Sequence, residues 1–122
     1  MVAGSEIDPV VSYVVLTRNR REILRRTLEG IRAQDYPAKE IIVADNGSDD
    51  GTDAMVREEF PEVQFLPMGE NRGIAGRNAG LRQARGDIVF SLDNDIFLMD
   101  SEATRRVLKV FQKKDTLGVV SL

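Results

Sequence analysis

Two carboxylates one residue apart, Asp93 and Asp95, stand at the end of an apolar run, Ile88 to Leu92, in the segment DIVFSLDNDIFLMD. Like charges held this close repel, and burial beside a strand sharpens the repulsion. A divalent cation is the natural compensation, because carboxylates are hard oxygen donors that suit magnesium or manganese. The 122 residues contain no histidine and no cysteine. Zinc sites built on those residues, thiolate nucleophiles, disulfides and imidazole bases are therefore excluded. Chemistry here runs on carboxylates, amides, hydroxyls, arginine and lysine.

Other apolar runs end in the same way. VVSYVVL (Val10–Leu16) leads into Thr17, Arg18 and Asn19, and EIIVA (Glu40–Ala44) leads into Asp45 and Asn46. VQFLP (Val63–Pro67) leads only into Met68 and a glycine, as expected of a strand remote from any site. In an open parallel sheet ligands bind beyond the carboxyl ends of the strands, where strand order reverses. The polar strand ends would then share one crevice. Each piece has a plainer reading: Asp-x-Asp is common in turns, and DNGSDDGT is a turn leading to a helix cap at Asp50 or Thr52.

The elements that must position these groups alternate. Between the first two apolar runs, Leu24, Leu28 and Ile31 recur at helical spacing. Ala54, Met55 and Val56 belong to a second helix, and GENRGIAGRNAG opens a third that Gly86 is expected to end. Ser101 is the expected N-cap of a fourth, with Val107, Leu108 and Phe111 turned inward. LGVVSL is a fifth strand. Strand and helix alternate as in βαβ units, and continuous apolar strands imply a sheet covered on both faces. The expected fold is a three-layer α/β/α Rossmann-like domain with a mainly parallel sheet in the order 3-2-1-4. Gly73, Gly76 and Gly80 each cost a helix about 1 kcal/mol, so close packing or function must require them.

Length and composition fit one soluble domain, with 42% hydrophobic and 30% charged residues. The net charge of −3 does not suggest a nucleic-acid backbone partner. The arginines at 18, 20, 21, 25 and 26 read as a solvated helix face. No apolar run approaches the roughly 20 residues of a membrane span, and the N-terminus lacks the pattern of a signal peptide, so a cytoplasmic location is expected. The chain stops within an apolar strand, which reads as a domain cut short and as an edge open to self-association.

Taken in order, VVSYVVLTRNR, EIIVADNGSDDGT, ENRGIAGRNAGLRQARGD and IVFSLDND resemble the donor-binding half of a family 2 glycosyltransferase of the GT-A fold, over nearly the whole chain. The resemblance implies a nucleotide-diphosphate sugar donor, a UDP- or GDP-sugar, and a divalent metal, Mn2+ or Mg2+. It places Asp45 at the nucleobase edge, and Thr17, Arg18 and Asn19 in the loop bordering the base. Arg77 falls near the donor, Asp93 on the ribose and metal side, and Asp95 on the metal. Arg18 departs from the pattern, standing where an aromatic residue often stacks on the base; a guanidinium can stack there too. The acceptor half, with its catalytic base, is expected downstream of Leu122, so residues 1–122 would form one donor-binding domain. The acceptor is not indicated.

A binding module that holds a nucleotide or nucleotide sugar without transfer is the second reading. A phospho-acceptor receiver or an Asp-x-Asp phosphatase is the third. It would need an acidic group after the first strand, where this chain has Thr17, Arg18 and Asn19.

Overall fold

The computed structural model describes residues 9–93, 101–114 and 119–121, with side chains at 9–92 and 101–109. In chain order the elements are β1 (Val11–Thr17), α1 (Arg21–Arg32), β2 (Lys39–Asp45), α2 (Thr52–Glu59), β3 (Gln64–Pro67), α3 (Ile74–Gln83), β4 (Ile88–Asp93), α4 (Ala103–Lys114) and β5 (Val119–Ser121). The sheet runs β3-β2-β1-β4-β5 and every registered pair is parallel. The expected 3-2-1-4 order is present, with β5 added outside β4. Thr17, Asp45 and Asp93 are each the last residue of a strand, so their backbones are fixed by the ladder.

Side chains alternate across the strands. One face turns Tyr13, Val15, Ile41, Val43, Phe90 and Leu92 into a core shared with Leu24, Leu28 and Ile31 of α1, Met55 and Val56 of α2, and Leu108 of α4. Each such side chain contributes about 1.5–3 kcal/mol by leaving water. The helical spacings read from the sequence thus mark true inner faces. Phe111 lies outside the described side chains.

The opposite face carries α3. A Cβ on Gly80 would lie 2.6 Å from the Val14 Cγ1, so only glycine lets the helix settle this close to β1. Gly86 does not end α3, which finishes at Gln83. Its role is close approach: a Cβ there would meet Val10 O at 2.7 Å and Ser12 N at 2.8 Å.

α4 docks through a buried polar network. Gln34 Oε1 accepts from Thr104 N at 2.9 Å and from Thr104 Oγ1 at 2.8 Å. Thr104 Oγ1 is also bonded to the Tyr13 hydroxyl, whose pKa burial raises. Beside it, Asp35 N donates to Ser101 O at 2.6 Å. On the solvent side of α1, Arg25 bridges Glu22 and Glu59, and Arg32 pairs with Glu62 while lying over the Phe60 ring. Of the arginine cluster, Arg21, Arg25 and Arg26 thus belong to the solvated side of α1, as expected, while Arg18 and Arg20 are exposed just ahead of the helix.

Candidate donor-binding site

At the carboxyl edge β1 and β2 end side by side, with Thr17 opposite Asp45, and β4 ends with Asp93 opposite Leu16. β1 lies between β2 and β4, and the chain reverses direction across the sheet there, so this edge is the switch point. Thr17 and Asp45 are buried, at 2% and 4% exposure.

The Asp45 carboxylate accepts the Ser48 hydroxyl and, at 3.3 Å, the Ser48 backbone N–H. Burial raises its pKa; the bonds from Ser48 oppose the shift, and the charges of Asp50 and Asp53 add to it. Asp45 is thus an acceptor held with part of its capacity spent within its own loop.

The β1–α1 and β2–α2 loops are braced together. Asn19 N donates to Ser48 Oγ at 2.8 Å, and Asp49 N donates to Asn19 Oδ1 at 2.7 Å. Asn19 holds a left-handed backbone, φ 52, a conformation asparagine tolerates better than most residues. Two residues on, Arg21 N donates to Asp50 Oδ2 at 3.0 Å and Arg21 Nη1 to Asp50 O at 2.9 Å. Asp50 Oδ1 accepts from Thr52 N at 3.2 Å in a turn ahead of α2, but the N-cap is neither Asp50 nor Thr52 as expected: it is Gly51, whose left-handed backbone, φ 89, suits glycine and which makes no side-chain cap bond. Arg18 is exposed on the same turn.

The β3–α3 loop returns to this edge, although β3 lies at the far side of the sheet. Asn46 Nδ2 donates to Gly73 O at 3.2 Å, and a Cβ on Gly47 would lie 2.8 Å from the Glu70 Cα. Arg77 follows on α3, half-buried, one residue after Gly76. Thr17, Asn19 and Asp45 are therefore joined within one hydrogen-bonded set of loops, with Arg18 at its rim and Arg77 on the helix that closes it. The sequence set Asn46 with Asp45 at the polar end of β2 without indicating its role, and Ser48 read only as a turn residue. The dense DNGSDDGT loop was the only signal available.

Of the acidic pair, Asp93 ends β4, and Asp95 lies outside the described residues. Among the described residues no group of three His, Cys, Asp or Glu is poised to hold a metal. The sequence offers hard oxygens only at and just after the end of β4, Asp93 being the last residue of the strand. This set suits a magnesium-like ion that keeps water and takes substrate oxygens.

These features define an open parallel α/β sheet with polar strand ends at its switch point, and comparison with known proteins makes the class definite. The model of glycosyl transferase family 2 matches residues 12–121, and the chain belongs to that family. It is 38% identical over 116 residues to the uncharacterized glycosyltransferase YfnE of Bacillus subtilis, covering 91% of this chain and 29% of that protein. It is 32% identical to the poly-beta-1,6-N-acetyl-D-glucosamine synthase of Staphylococcus epidermidis, with coverages of 91% and 27%. Among solved structures it superimposes on the mannosyltransferase PcManGT of Pyrobaculum calidifontis, in complex with GDP-Man and Mn2+, with a TM-score of 0.79 and 32% identity. That match covers 87% of this chain and 33% of the other. S. aureus TarS 1-349 in complex with UDP-GlcNAc shares the fold at a TM-score of 0.76 and 24% identity, covering 85% of this chain and 31% of that one. The GT-A fold expected from the motifs is the fold observed. The chain spans about three tenths of the length of the curated relatives it matches. Among the described residues no helix is long and apolar enough to cross a membrane.

Proposed function

We propose that this chain is the donor-binding part of a metal-dependent glycosyltransferase, which moves a sugar from a nucleotide-diphosphate donor to an acceptor hydroxyl. The observation that carries the reading is the buried Thr17–Asp45 pair at the switch point of a family 2 domain. Asp45 would accept the imide N–H of the base, with Thr17 beside it and Arg18 stacked on the ring. In the transfer, the bond from the anomeric carbon to the acceptor oxygen forms as the bond to the diphosphate oxygen breaks. The acceptor proton passes to a base that no residue of this chain is assigned to be.

Asp93 and Asp95 are the residues that would hold the cation, which when bound neutralises charge on the diphosphate leaving group. Asp45 and the braced loops orient the nucleoside, and Arg77 on α3 adds positive charge on the donor side. Two relatives in the comparison carry nucleotide sugars, GDP-Man in PcManGT and UDP-GlcNAc in TarS, which supports the donor class without choosing the base.

The test is calorimetric titration of the chain with uridine and guanosine diphosphates, with and without manganese, repeated on Asp95→Asn. Manganese-dependent binding with a base preference, strongly weakened in the folded Asp95→Asn chain, is the expected result. Equal affinity in that variant would overturn the cation assignment. No binding by a chain with native circular dichroism would overturn the donor site as an autonomous unit.

A further inference from the structure

Asn46 follows the base-facing Asp45, yet its side chain faces α3. It is 3% exposed. Its backbone N–H donates to Thr17 O at 2.9 Å, tying it to the end of β1. Its Nδ2 donates to Gly73 O at 3.2 Å, and its Oδ1 accepts, at a long 3.4 Å, from Arg72 N. Gly73, at φ 54 and ψ −130, is in a conformation suited to glycine, and its own N–H is held by Asn71 Oδ1 at 3.0 Å. The first turn of α3 presses on the amide so closely that a Cβ on Gly76 would lie 3.0 Å from the Asn46 Cγ and 3.1 Å from Nδ2.

Asn46 therefore joins strand ends to helix: its backbone N–H is bonded to the end of β1, and its buried side-chain amide, at the end of β2, touches the residues that open α3. The amide offers both a donor for Gly73 O and an acceptor for Arg72 N. An aspartate would set a second acceptor against the Gly73 carbonyl with no proton between them, which is costly where water is excluded.

We propose that Asn46 is a positioning residue: it latches the first turn of α3 to the strand ends and so fixes where Arg77 stands relative to Asp45. The amide then governs the diphosphate part of donor affinity without reading the base. The latch stands on geometry alone, whereas its effect on affinity rests on the donor-site reading above.

The test compares Asn46→Asp, Asn46→Ala, Gly76→Ala and the Asn46→Ala/Gly76→Ala double variant by two measurements. The first is amide hydrogen exchange over residues 72–77. The second is calorimetric affinity, with manganese, for uridine and guanosine diphosphates and for their parent nucleosides. In the Asn46 variants exchange should rise over 72–77 while the β1 and β2 amides stay protected. Diphosphate affinity should fall about tenfold, with the preference between bases unchanged and nucleoside affinity nearly so. Gly76→Ala should weaken diphosphate binding in the native background and do much less beside Asn46→Ala, because the side chain it strikes has gone.

Unchanged exchange over 72–77 in Asn46→Ala would overturn the latch. So would additive effects of Asn46→Ala and Gly76→Ala. Loosened exchange with unaltered diphosphate affinity would overturn the link to the donor. Should Asn46→Asp fail to fold, Asn46→Ala and the Gly76 pair still decide. Failure of the unmodified chain to bind either nucleotide would instead count against the donor-site reading, leaving exchange to judge the latch.

Discussion

Ser48 donates both its hydroxyl hydrogen and its backbone N–H to the carboxylate of Asp45, three residues earlier, while its Oγ accepts from Asn19 N at 2.8 Å. The hydroxyl is therefore the joint through which the β1–α1 loop orients the acid at the end of β2. Ser48→Ala should lower nucleoside diphosphate affinity about fivefold, the worth of one ordinary hydrogen bond, with little change in thermal stability. Titration calorimetry on the two chains checks this; equal affinities would show that Asp45 is oriented without Ser48.

Asp45 also makes a prediction about pH. Burial holds its pKa above the ordinary aspartate value of 3.8. The native state then binds this proton more tightly than the unfolded chain does, so Asp45 costs stability as pH rises from about 3.8 through its folded value. Asp45→Asn removes the titration. The variant's melting temperature should exceed that of the unmodified chain near neutral pH, and the gap should narrow as pH falls towards the unfolded value. A gap that widens on acidification would contradict the assigned direction.

The Tyr13–Thr104–Gln34 network supplies a test of docking. Thr104→Val keeps the shape but strips the hydroxyl from between two buried partners, and should cost about 1–3 kcal/mol in denaturant unfolding. Tyr13→Phe removes one of the stranded partners, so the two changes together should cost less than the sum of each alone. Additive costs would mean that the hydroxyls do not act as a unit.

Gly80 provides the sharpest packing prediction. Alanine is the better helix former by about 1 kcal/mol, so on propensity alone Gly80→Ala stabilises α3. The added methyl would meet Val14 Cγ1 at 2.6 Å, and overpacking of this kind costs about 1–3 kcal/mol. We expect net destabilisation, read as a lower denaturation midpoint. A stabilised variant would show that α3 is free to lift from β1.

The sheet was legible because its signals are local or periodic. Apolar runs with polar ends marked the strands, Leu24, Leu28 and Ile31 marked the inner side of α1, and the motif order implied the strand order. The bracing was not legible. Asn19 with Asp49, Arg21 with Asp50, and Asn46 with Gly73 are pairs 27 to 30 positions apart. Hydrogen bonds between loops leave no period in a sequence, and each of these residues suits a turn for reasons of its own. Gly86 misled for a related reason: glycine after a helix commonly ends it, whereas here the backbone of β1 lies where a side chain would go.

The central place of β1 bears on how the chain is made. Its first partner, β2, is available soon after β1 itself, but its second, β4, comes much later: Val10 is bonded to Asp87, 77 positions on. A nascent chain growing from its N-terminus must therefore carry β1 with one edge open until β4 has emerged. Distant parallel pairings of this sort slow folding and lengthen the exposure of strand edges. The central strand β1 thus emerges before the other described strands of its sheet and is among the last to be fully paired.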